Sequence, residues 1–86
     1  MDPGRALTQE AAWAVRSIEG GGQMDRATEA RMRLMGYKPK LDLNRYQCPR
    51  CWVRNAMKNA LTPVPGTDDY DVLRCHGCGA DFVIPF

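Results

Sequence analysis

The chain lacks any apolar run of transmembrane length, and Met1-Asp2-Pro3-Gly4-Arg5 leads into no apolar stretch of the secretory kind. Both absences set the expectation of a cytoplasmic protein with no membrane partner, in a compartment where thiols stay reduced. Histidine is nearly missing. His76 is the only one, so a nucleophile–histidine pair has a single candidate base. There is no glycine-rich phosphate loop and no nucleophile elbow. These gaps point to a binding protein rather than an enzyme. Acids are scarce in the middle of the chain. From Arg26 to Lys58, nine Lys and Arg face only Glu29 and Asp42, a surplus of +7. From Asp68 to Asp81 the sign reverses, with four Asp against Arg74. Asp68 and Asp69 stand together, but nothing completes a metal or acid–base site around them, so they read as a solvated loop tip.

What is present is cysteine in a pattern. All four cysteines fall in two C-x2-C pairs, Cys48-Pro49-Arg50-Cys51 and Cys75-His76-Gly77-Cys78, with twenty-three residues between the pairs. Two residues between ligands let both sulfurs of a pair face one point from a tight turn. Two such pairs make a four-sulfur cage, the preferred structural site for zinc. The chain has 86 residues, and a domain this small often needs a staple. A structural zinc site supplies roughly 10–16 kcal/mol to folding, as much as the whole stability of a typical domain. Disulfide pairing is the competing use of these cysteines, and the reducing compartment disfavours it. A closed cage leaves no coordination position for a substrate water, which argues against metal-assisted hydrolysis. With four thiolates closing the site, His76 is expected to face solvent.

The coarse layout is small α+β. Residues 1–7 read as a lead-in. A first helix opens with Thr8 as N-cap, carries Ala11, Ala12, Val15 and Ile18 on one stripe, and stops at Gly20-Gly21-Gly22. Trp13 lies off that stripe and is expected to pack against the cysteine-bearing half. A second helix is capped by Asp25, carries Met24, Ala27, Ala30, Leu34 and Met35, and ends at Gly36. Two short helices around a glycine turn suggest either a helix-turn-helix or a hairpin lying over one side of the metal module. The three-glycine break and short stripes favour the hairpin. Lys38-Pro39-Lys40 is an extended link. Tyr46-Gln47 reads as a strand entering the first cysteine turn, and Trp52-Val53-Arg54 as a strand leaving it. Residues 55–58 form a turn. Residues 60–64, 70–74 and 82–86 complete the strands, with Pro63 confining its strand to an edge. The division is therefore a two-helix segment, 1–36, and a four-cysteine domain, 37–86.

From Leu43 to Phe86 this order of strands and cysteine turns resembles a zinc ribbon, with rubredoxin-like knuckles. The resemblance implies a short antiparallel sheet and one structural zinc on Cys48, Cys51, Cys75 and Cys78. Rubredoxins hold iron in a similar cage, so iron is the alternative metal. Gly79 fits the left-handed position that follows a second knuckle cysteine. Trp52 occupies the matching place in the first knuckle and departs from the pattern. It serves either to shield the cage or as an exposed stacking platform.

Two functions stand beside the bland reading of a solvated basic face. In the first, the chain binds nucleic acid or a nucleic-acid-processing machine. Arg45, Arg50, Arg54 and Lys58 neutralise phosphates while Tyr46 and Trp52 stack on bases. In the second, it is a protein-interaction module with purely structural zinc. That class covers a small regulatory or phage-type accessory protein, or a homodimer joined through its methionine-bearing helix and apolar C-terminus.

Overall fold

In the computed structural model, residues 3–22, 24–43, 45–66 and 68–85 are described. The first helix, α1, spans Pro3–Gly20. It begins earlier than its N-cap signal suggests. Pro3 suits a first helical position, where a missing N–H costs nothing. Ala6 and Leu7 continue the buried stripe of Ala11, Ala14 and Val15. Burial of Leu7 therefore extends the helix backward, and Thr8 is not the cap. Its hydroxyl donates to the Gly4 carbonyl at 2.8 Å, one turn back. The helix stops where expected. Gly21 and Gly22 N–H groups close on the carbonyls of Ile18 and Glu19, and Gly22 takes φ +76°.

The second helix, α2, spans Met24–Met35 and has Asp25 in its first turn. It turns Ala27 and Ala30 inward. These small side chains let α2 approach α1, and Arg31 pairs with Glu19 across the hairpin at 3.2 Å. The hairpin packs on the cysteine-bearing half. Both helices contact a third, α3 at Pro49–Asn55, and α1 also reaches the last strand. Trp13 does not take part as expected, being 49 % exposed. It lies off the stripe that α1 buries, and Leu7 and Val15 fill that interface instead.

The largest correction lies at the first knuckle. No strand leaves it. Pro49–Asn55 forms α3. Pro49 presets the first helical φ, and the Cys48 sulfur caps the helix by accepting from the Cys51 N–H. Val53 is fully buried in the core. Ala56 ends the helix in the left-handed region at φ 55°, its N–H bonded to the Trp52 carbonyl.

The strands are β1, Leu61–Val64, β2, Tyr70–Cys75, and β3, Asp81–Pro85, in antiparallel order β1-β2-β3. Pro63 sits on edge strand β1 opposite Leu73. Tyr46 and Gln47 make isolated bridges to Lys40 and Ala60 rather than a full strand. One buried cluster joins Leu7, Val15, Val53, Leu61, Phe82 and Ile84 with three of the cysteines. Helices and sheet thus share a core that runs up to the cysteine cage. No helix among the described residues is long and apolar enough to cross a membrane.

Candidate metal centre

The two knuckles are built differently. The first supplies its sulfurs from the start of a helix. Cys48 and Cys51 lie one turn apart, and the Cys51 N–H points at the Cys48 sulfur at 3.5 Å. The second is a turn that closes the β2–β3 connection. The Gly79 N–H returns to the Cys75 carbonyl at 2.8 Å and the Cys75 N–H to the Ala80 carbonyl at 2.9 Å. Gly79 adopts φ +75°, where a Cβ would be strained. This difference accounts for Trp52. Position 52 lies inside α3 with helical φ, so the glycine that the second turn needs has no purpose in the first.

The four sulfurs converge. All lie within 4.8 Å of one another, with Cys48 to Cys78 at 3.7 Å and Cys51 to Cys75 at 3.6 Å. Both short distances join one knuckle to the other. A tetrahedral centre with metal–sulfur bonds of about 2.3 Å has sulfur–sulfur edges of about 3.8 Å, so the cage has the size that a metal ion requires. None of the cysteines is in a disulfide, and Cys48, Cys51 and Cys75 are buried while Cys78 is exposed. His76 is exposed as well.

Burial pushes the Cys48 and Cys51 thiols up from their ordinary range. Burial opposes ionisation at Cys75 too, but there backbone N–H groups of Cys78 and Gly77, with the Cys51 thiol, win and hold it low. Four thiolates in so small a space repel one another, and a cation resolves the conflict. Comparison with protein-family models, curated proteins and solved structures finds no match.

Asn59 belongs to the site and carries no motif that marks it. Its carbonyl accepts from the Cys48 N–H at 2.8 Å. Its side-chain amide hydrogen-bonds the Cys51 sulfur and fills the space beside Gly77, where a Cβ would meet Asn59 Nδ2 at 2.5 Å. One residue therefore braces both knuckles. Tyr37 supports the approach to the first, its buried hydroxyl donating to the Gln47 carbonyl at 2.8 Å. Burial and the nearby Cys48 raise its phenol above the ordinary range.

The six basic and aromatic residues singled out in the sequence do not form one surface. Arg45 is held by Asp42, which accepts from both its backbone N–H and its Nε. Arg50 and Arg54 lie four residues apart on α3 and flank Cys51 and Cys78. The Arg50 guanidinium also lies over the Phe82 ring at 5.8 Å. Trp52 is roughly 200° around the helix from Arg50. It faces a second area with Lys58, whose Nζ sits 5.8 Å from the indole centroid. Tyr46 is half-buried beside Lys38 and Lys40. The structure thus adds those two lysines of the basic stretch to the surface beside Tyr46.

Proposed function

We propose that Cys48, Cys51, Cys75 and Cys78 bind one zinc ion as a structural centre, and that the basic surface around the first knuckle binds nucleic acid without catalysis. Convergence of four sulfurs from two separate turns supports the first part. Four thiolate ligands suit zinc over harder cations, and a tetrahedral geometry suits it over copper or nickel. Iron is separated from zinc by elemental analysis and by the visible absorption of a ferric tetrathiolate.

One observation carries the second part. Among the described residues, no carboxylate pairs with Lys38, Lys40, Arg50, Arg54 or Lys58, whereas Arg31, Arg33 and Arg45 are each paired. Unpaired cations beside aromatic rings are what a phosphate backbone and its bases require. Fluorescence anisotropy with labelled oligonucleotides at several salt concentrations tests it. Affinity falling steeply with salt supports the proposal, and no binding at low salt rejects it.

A second reading rests on α2. Met24, Met32 and Met35 are 82 %, 69 % and 89 % exposed and fall within roughly 80° on one side of the helix. An apolar side with this composition suits a second copy of the chain. Light scattering after size exclusion distinguishes a dimer from a monomer.

A further inference from the structure

Between the 36–41 segment and α3 the surface forms a cleft of about 290 Å³, lined mainly by Lys38, Lys40, Leu41, Gln47, Trp52 and Lys58. It lies at the small end of the range for ligand pockets, roughly 300–1,000 Å³. Among the described residues, three lysines line it and no aspartate or glutamate does. Arg50 and Arg54 lie elsewhere, beside Cys51 and Cys78.

Trp52 is half-buried in the wall. Its indole N–H is fixed by the Arg33 carbonyl at 2.8 Å, so the ring is pre-positioned rather than free to turn. Gln47 is only 4 % exposed. Its Nε2 donates to the Lys38 carbonyl, while its Oε1 is a buried acceptor without a hydrogen-bond partner. Buried acceptors are rarely left unpaired. A cleft with three lysines and one fixed aromatic plate calls for a ligand with a phosphate and a flat ring.

We infer that this cleft takes one unstacked nucleotide of a single strand, with its phosphate among Lys38, Lys40 and Lys58 and its base against Trp52. The inference rests on the nucleic-acid reading above and narrows it to one site and one form of nucleic acid. Bases within a duplex are stacked on both faces and cannot offer one to Trp52, whereas single-stranded bases stack on aromatic side chains with little sequence preference.

The test uses the full chain, loaded with zinc and carrying Trp13→Phe, so that Trp52 is the only tryptophan. Trp13 is exposed, and the change leaves the core untouched. The probes are single-stranded oligothymidylate, a duplex of mixed sequence and inorganic phosphate. Oligothymidylate should quench Trp52, and Lys38→Gln with Lys40→Gln should weaken its binding roughly tenfold or more. The duplex should bind more weakly, and phosphate should leave the emission unchanged. If oligothymidylate binds in a salt-dependent way with no change in Trp52 emission and no effect of the lysine changes, the cleft is not the site and the broader reading survives. Equal binding of duplex with equal quenching overturns the single-strand assignment. Failure of both nucleic acids to bind overturns both.

Discussion

Trp52 and Arg33 hold each other from opposite helices. The indole N–H donates to the Arg33 carbonyl at 2.8 Å, and the Arg33 guanidinium donates to the carbonyls of Val53 and Arg54 at 2.9 and 3.2 Å. The last carbonyls of α3, which have no partner within their own helix, are thereby satisfied from α2. This pair fastens the helical hairpin to the helix that carries Cys48 and Cys51.

Trp52→Phe keeps most of the ring and removes the donor. The partly buried Arg33 carbonyl then loses its partner, at about 1–2 kcal/mol. For a domain of this size that lowers the melting temperature by about 5–15 °C. Thermal unfolding of the metal-loaded protein, followed by circular dichroism, measures it. An unchanged melting temperature would mean that the pair contributes nothing.

Asn59 should act on metal affinity. Residues that hydrogen-bond a metal ligand typically change affinity by about 10–100-fold when replaced, and Asn59→Ala is expected in that range. Gly77→Ala should act through the same residue, because its new Cβ would press on Asn59. Combining the two changes should therefore cost less than the sum of the singles. Competition with a chromogenic chelator reads all three. Strict additivity would separate Gly77 from Asn59.

Metal binding should release protons. Thiols with ordinary values near 8.5 are mostly protonated at pH 7, and burial raises Cys48 and Cys51 further. Cys75 is held low, so about three to four protons should leave per metal ion. Calorimetry in two buffers of different ionisation enthalpy counts them. The metal-loaded protein loses stability as pH falls and protons displace the ion from its sulfurs. Release of one proton or none would exclude a tetrathiolate centre.

The cysteine cage was legible because ligand spacing is a local property. Two intervening residues fix the bite of each pair, whatever the rest of the chain does. The order of β1, β2 and β3 was legible for the same reason, from alternation and turn residues. The path out of the first knuckle was not. Trp52-Val53-Arg54 has strand propensity, but Pro49, the Cys48 cap and the docking of Val53 and Trp52 on the helices override it. The start of α1 lies ahead of its capping signal because the burial of Leu7 outweighs the cap at Thr8. Asn59 had no signal at all. Its role comes from lying beside Gly77, a neighbour only in space. The basic stretch showed charge but not which charges are already paired, and that decides between Arg45 and Lys38.

The proposed metal ion, held by Cys48, Cys51, Cys75 and Cys78, would organise the C-terminal half. X-ray absorption together with elemental analysis, on protein purified under reducing conditions and then treated with a strong chelator, tests it most directly. The expected result is one zinc per chain, sulfur-only coordination at about 2.3 Å, and loss of the cooperative thermal transition once the metal is stripped. A preparation with no bound metal, whose circular dichroism and melting are indifferent to the chelator, would contradict it.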